Sequence, residues 1–281
     1  MNNSEHNHQN KIAAINDFSG FGRCSLAVAL PIISHMKIQC CPVPTSIFSN
    51  HTGFPHFYFD DYTARMPEYI SHWKELGLTF NGILTGFLGS EQQIEIVMNF
   101  IRDFKKDNTV VIVDPVMGDN GKPYATYNAD MCKRMKELVK FSDIVTPNLT
   151  EACILTDTPY TPDTFTKKDY FSMAYKISEL GAKKIVITGI SKGDYINNII
   201  YETGNNPYIF RTRKIYIERS GTGDVFSSII AADAVHNVDF RKSVKKASDF
   251  VKKCLLVTEK FDIPRTDGVC FEEVLHTLKE N

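Results

Sequence analysis

The run Ser220-Gly221-Thr222-Gly223-Asp224 follows a β-rich segment and opens a strongly apolar stretch, residues 225–232. Glycines let a backbone approach a ligand closely, and the first N–H groups of a helix point outward with no intrahelical partner. The helix dipole adds about half a positive charge, so such a start can hold an anion such as a phosphoryl group. A carboxylate at the same place, Asp224, can take the proton of a substrate hydroxyl as that oxygen attacks phosphorus. The residues equally fit a plain glycine turn in which Thr222 or Asp224 caps the helix.

Two more acidic motifs follow apolar runs. Residues 110–113 lead into Asp114-Pro115-Val116-Met117-Gly118-Asp119, and residues 144–145 lead into Thr146-Pro147-Asn148-Leu149-Thr150-Glu151. Ligands of open α/β sheets bind beyond the C-terminal ends of strands. Oxygen donors there suit Mg²⁺, which offsets the charge of a nucleoside triphosphate. The other reading is structural: Asn148-x-x-Glu151 has capping-box spacing, and Asp114 fits a strand-end turn.

Other familiar chemistries are absent. Gly20-x-Gly22-x-x-Ser25 imitates a dinucleotide fingerprint, but Ser25 replaces the third small residue and Cys40 and Cys41 stand where an acid is needed. No G-x-x-x-x-G-K-[ST] occurs, so any use of ATP proceeds without a P-loop. His51 and His56 lack helical metal spacing and are read as residues of a lid. The seven cysteines never form C-x-x-C, which points to reduced thiols.

The elements that must position these residues alternate. Strands are predicted at 11–16, 38–48, 82–85, 110–114, 143–146 and 184–188, with helices between them. Helix 91–105 places Ile94, Val97, Ile101 and Phe104 on one face, and helix 171–180 does so with Phe171, Ala174, Tyr175 and Ile177. Segments 195–202 and 208–217 form a β-rich excursion across the turn Gly204-Asn205-Asn206-Pro207, and the chain is helical from Asp224 onward. The fold class is therefore α/β, a mostly parallel central sheet with helices on both faces and a small β-rich lid. Residues 49–62, rich in aromatics and His, are the lid candidate. Residues 1–10, with His6 and His8, read as a disordered tail before a single domain, 11–281.

Composition narrows the function classes. Lys plus Arg total 32 against 33 Asp plus Glu, a formal net charge of −1 over 281 residues, which argues against a nucleic-acid or anionic-membrane partner. The basic cluster at 241, 242, 245, 246, 252 and 253 reads as a solvated helix face. No apolar run approaches the ~20 residues of a membrane span. Residues 1–10 lack the pattern of a secretory signal, so a cytoplasmic location is expected.

Taken together, the motifs resemble the ribokinase-like superfamily, and within it the pyridoxal (vitamin B6) kinases. The carriers are Phe48-Ser49-Asn50-His51-Thr52-Gly53, Leu84-Thr85-Gly86-Phe87-Leu88-Gly89-Ser90, Asp114 to Asp119, Thr146-Pro147-Asn148-x-x-Glu151 and Gly221-Thr222-Gly223-Asp224, in the family's order. The resemblance implies ATP-dependent phosphorylation of the 5′-hydroxymethyl group of pyridoxal, pyridoxine or pyridoxamine. It implies Asp224 as catalytic base, an anion hole at Gly221, Thr222 and Gly223, and Asp114 and Glu151 around Mg²⁺, directly or through water. It places Asp119, Thr146, Asn148, Thr188 and Thr222 at the nucleotide, and Asp17, Ser19, His51, Thr52 and Phe87 on the vitamer side. A monovalent cation such as K⁺ is left open, and a homodimer is implied. Two positions depart from the pattern, because many pyridoxal kinases have Ser where Asp17 stands and Tyr where Phe87 stands. The segment from Asp17 to Gly22 is also similar to the opening loop of hydroxymethylpyrimidine kinases, which are the alternative; a non-catalytic vitamer- or nucleotide-binding protein is the other.

Overall fold

In the chain's computed structural model, which describes residues 8–278, strands and helices alternate. In order they are β1 (Lys11–Ser19), α1 (Ser25–His35), β2 (Gln39–Phe48), β3 (Phe59–Asp61), α2 (Met66–Glu75), β4 (Gly82–Thr85), α3 (Glu91–Phe104), β5 (Val110–Val113), the hairpin β6 (Gly118–Asp119) and β7 (Lys122–Pro123), and α4 (Ala129–Val139). There follow β8 (Ile144–Val145), α5 (Leu149–Leu155), α6 (Lys167–Glu179), β9 (Lys184–Lys192), β10 (Tyr195–Glu202), β11 (Tyr208–Arg213), α7 (Thr222–Val235) and α8 (Phe240–Glu259).

Nine strands form one sheet in the order β11-β10-β9-β8-β5-β4-β1-β2-β3. The six from β2 to β9 are mutually parallel, while β3 at one edge and the β10–β11 pair at the other run antiparallel. Strands buried on both faces should be apolar throughout rather than alternating, and they are. On β5, Val111 and Val113 join one core while Ile112 joins the other. On β9, Ile185 and Ile187 face opposite to Val186 in the same way. Helices α2 to α6 cover the first face, and α1, α7 and α8 cover the second. This is the mostly parallel α/β arrangement with helices on both faces that the sequence predicts.

Helix α3 buries Ile94, Val97, Ile101 and Phe104 as its periodicity requires, and Ser90 caps it by accepting the Gln93 N–H at 3.2 Å. Three expectations need correction. Helix α6 starts four residues earlier than expected and buries Tyr170, Met173, Ala174 and Ile177; Tyr175 is exposed at 41%, its ring edge against Tyr201. The β-rich excursion is not separate but extends the main sheet, and its second strand stops at Arg213. Of the expected disordered tail, residues 1–7 lie outside the described residues, but the Asn10 carbonyl accepts the Gln39 N–H at 2.9 Å and is held.

The lid candidate, 49–62, begins in turns and ends in β3, which pairs with the last residues of β2. Its aromatics cluster: Phe57 and Phe59 lie 5.8 and 4.8 Å from Phe48, and Phe54 lies 5.6 Å from Phe21.

Candidate active site

The sequence-predicted residues converge at the C-terminal edge of the parallel strands, where α7 begins. Gly221 precedes that helix with φ 84°, a left-handed conformation that L side chains resist. A Cβ on it would stand 2.2 Å from the Arg23 carbonyl oxygen, so only glycine fits. The first turn then opens on space: a Cβ on Gly223 would meet nothing within 4 Å. The first intrahelical bond runs from the Val225 N–H to the Gly221 carbonyl, which leaves the preceding N–H groups available to an anion. The N-cap position of this helix is taken by Gly221, not by Thr222 or Asp224.

Asp224 is half-buried. Its Oδ1 accepts a hydrogen bond from Asn16 Nδ2 at 3.3 Å, across from the end of β1. Burial pushes its carboxyl up to about 6 and the neighbouring Asp17 adds to this, against the pull of the Ser25 backbone and Asn16. Asp114, at the end of β5, is pushed up to about 7, first by burial and then by Asp224, with the Ser227 and Thr146 hydroxyls opposing.

Glu151 is buried at 4% exposure and serves as the cap its spacing predicts. Its Oε2 accepts the Asn148 N–H at 2.7 Å, Asn148 Oδ1 accepts the Glu151 N–H at 2.9 Å, and its Oε1 takes the Met117 N–H at 3.2 Å. The carboxylate thus ties the loop after β5 to the start of α5. Burial and the nearby Asp114 raise its pKa well above the ordinary glutamate range. Asn148 also donates from Nδ2 to the Gly118 carbonyl at 2.8 Å, and it bridges to Thr188, whose N–H donates to Pro147. Thr146 is buried, with its hydroxyl beside the Asp114 carboxyl. Asp119 sits exposed at the hairpin tip, where Asn120 donates to both its oxygens.

The charges acting most strongly on Asp114, Glu151 and Asp224 are other carboxylates. Such crowding fits a divalent cation between them. Among the described residues no three His, Cys, Asp or Glu side chains form a metal cage, and both Glu151 oxygens already serve backbone N–H groups. The donor set is therefore that of a metal sharing its shell with water and phosphate, not of a closed protein site.

At the end of β1 a bulge between Asn16 and Phe18 turns consecutive residues toward the site. Asp17 is buried, and its oxygens accept hydroxyl bonds from Ser25 at 2.5 Å and Ser19 at 3.0 Å. Ser19 is 0% exposed, so it supports Asp17 and offers no surface to a ligand. Burial raises the Asp17 carboxyl and pushes the adjacent Cys24 thiol up to about 12, which keeps that thiol protonated. Phe87 is half-buried, its ring 6.5 Å from Tyr127, and Thr52 is exposed on the lid.

His51 is placed differently from the other vitamer-side candidates. Its Nδ1 accepts the Gly53 N–H at 3.0 Å and its Nε2 donates to the Thr266 carbonyl at 2.7 Å, with Ser220 Oγ 3.2 Å away. The ring therefore ties segment 49–62 to the loops before α7 and after α8. Sequence reasoning missed two residues of this site, Asn16 and Ser25, although both lie in the motif around Asp17.

The model of the family described as phosphomethylpyrimidine kinase matches residues 73–269. The hydroxymethylpyrimidine/phosphomethylpyrimidine kinase of Aquifex aeolicus is 28% identical over 254 residues, 89% of each chain. A crystal structure of a candidate phosphomethylpyrimidine kinase from Bacteroides thetaiotaomicron, in an orthorhombic form with pyridoxal, superposes with a TM-score of 0.92 at 36% identity over 96% of both chains. Pyridoxal kinase from Lactobacillus plantarum has the same fold, with a TM-score of 0.88 at 24% identity over 97% of both chains.

Proposed function

The chain belongs to the phosphomethylpyrimidine kinase family, whose members are kinases, and from that premise we propose that it phosphorylates the 5′-hydroxymethyl group of B6 vitamers with ATP. The observation that carries the reading is the meeting of Asp224 with the open first turn of α7, a proton acceptor beside a row of free N–H groups. The pyridoxal in the Bacteroides relative supports the substrate.

In this mechanism the vitamer lies under the lid near Phe87 and Thr52, with its hydroxymethyl group toward Asp224. Asp224 takes the hydroxyl proton, the oxygen attacks the γ-phosphorus, and the bond to the ADP oxygen breaks. The N–H groups at Gly221, Thr222 and Gly223 hold the charge that builds on the transferring group. The nucleotide is held along Asp119, Thr146, Asn148, Thr188 and Thr222. When bound, Mg²⁺ would offset phosphate charge from a position beside Asp114, with Glu151 acting through water. Asp17 shapes the β1–α1 loop through Ser19 and Ser25 rather than by direct contact. The exposed Phe57, Tyr58 and Phe59 at the sheet edge are the face on which two copies would pair; sedimentation equilibrium of wild type and Phe59→Ser tests this.

Phosphorylation of hydroxymethylpyrimidine is a second reading, favoured by the Asp17 to Gly22 loop and by the Aquifex relative. ADP release with Mg·ATP, at low and high K⁺, is to be measured across pyridoxal, pyridoxine, pyridoxamine, hydroxymethylpyrimidine and ribose. Stimulation by a B6 vitamer is expected. Stimulation by the pyrimidine alone would favour the second reading, and binding without any turnover would leave a vitamer- or nucleotide-binding protein.

A further inference from the structure

We infer that Asn16 is a positioning residue, whose side-chain amide clamps the Asp224 carboxylate so that one oxygen faces the substrate hydroxyl. The inference rests on the phosphotransfer reading above. Asn16 Oδ1 accepts two backbone N–H groups, from Asp17 at 2.9 Å and from Phe87 at 2.8 Å. Those two bonds use both lone pairs of the amide oxygen and fix which way the amide points, since a flipped group would set NH₂ against two donors. The Nδ2 end is thereby committed to Asp224 Oδ1, 3.3 Å away.

The surroundings are shaped for this amide. A Cβ on Gly86 would lie 2.3 Å from Asn16 Nδ2 and 2.7 Å from its Oδ1, so the turn after β4 closes on Asn16 only because residue 86 has no side chain. An amide also suits the task chemically. It donates to a carboxylate and does not compete with it for a proton near neutral pH, and it acts alongside the Ser25 backbone, the carboxylate's other donor from the β1–α1 region. The clamp joins the end of β1 to the first turn of α7, positions 208 apart in the chain. It therefore sets the base relative to the sheet, which carries the rest of the site.

The acceptor and donor halves of Asn16 can be separated. Asn16→Asp keeps an oxygen for the Asp17 and Phe87 N–H groups but replaces the donor to Asp224, whereas Asn16→Ala removes both. We expect Asn16→Asp to lower kcat about 10- to 100-fold, with KM for ATP and acceptor within about threefold and Tm lowered at neutral pH by the added buried carboxyl. In an Asp224→Asn background the same change should alter kcat less than about twofold, because it acts through the carboxylate. If Asn16→Asp turns over like wild type, or its loss is undiminished beside Asp224→Asn, Asn16 is structural only and the inference fails. Substrate-free NMR provides a readout independent of turnover: the Asn16 side-chain NH₂ signals, assigned by their loss in Asn16→Asp, should move when Asp224 becomes Asn. Unmoved signals overturn the clamp whatever the substrate. Should they move while no hydroxymethyl heterocycle supports ADP release, the functional reading falls, and the same cycle is decided on ATP hydrolysis to water.

Discussion

Gly221 and Gly223 stand two residues apart in one loop, yet their replacement by Ala should move stability in opposite directions. At Gly221 an L residue must adopt the left-handed conformation, at about 1–2 kcal/mol, and its Cβ must displace the Arg23 carbonyl from 2.2 Å. Relief of that contact needs the loop after β1 to move, so a total of about 2–4 kcal/mol is reasonable, or ~4–8 °C in Tm for a chain of this size. Gly223 lies inside the first turn of α7 with open space where its Cβ would go. Ala is the better helix former there, by about 0.5–1 kcal/mol, so Tm should hold or rise by ~1–2 °C. That new methyl group would enter the space proposed for the transferring phosphoryl group, so kcat should fall at least about tenfold. Thermal melts and steady-state ADP release on both variants decide the matter. A Gly221→Ala protein that melts with wild type refutes the close contact, and a fully active Gly223→Ala protein refutes the anion hole.

Four further outcomes are expected. Asp224→Asn should lower kcat about 10²- to 10⁴-fold, and a variant turning over near wild type would remove Asp224 from the role of base. Because burial raises the Asp224 carboxyl to about 6, kcat/KM should climb with pH through that value. The same shift means that the folded state binds this proton more tightly than the unfolded chain, so its stabilisation is full below pH ~4 and is lost as pH rises through about 6. Asp224→Asn should therefore flatten the fall of Tm over that window in metal-free protein, and identical slopes would contradict the shift. His51→Ala removes the contacts to Thr266 and Ser220 that tie segment 49–62 down, so KM for the acceptor should rise about tenfold and acceptor-free ATP hydrolysis should increase; no change in either would mean that the latch plays no part in closure.

The sequence was informative where local pattern and final environment coincide. The limits of 82–85 and 195–202 match the observed strands to the residue, because apolar runs flanked by turn residues are short and unambiguous. Glu151 was readable both as a cap and as a site residue, and the structure shows one carboxylate whose cap role limits how it can meet a metal. The face of α6 was not readable, since Tyr170 and Met173 differ from Phe171 and Tyr175 by a small rotation that only packing against β9 and β10 decides. Asn16 escaped notice for another reason. Its meaning lies in a partner 208 positions away and in a glycine on a neighbouring strand's turn, neither of which leaves a local signature. His51 was visible as a lid residue, but its saturated ring nitrogens appear only when three loops are brought together.

That separation along the chain also orders events during synthesis. The central strand β1 and its neighbours emerge first, and the lid, the hairpin and the capped start of α5 can all form around them. Asp224 and the turn proposed to hold the phosphoryl group arrive only with α7, which must then pack against α1 and α8 before it is fixed. A nascent chain halted before α7 consequently lacks both, so the proposed chemistry cannot begin until every strand of the main sheet has been made.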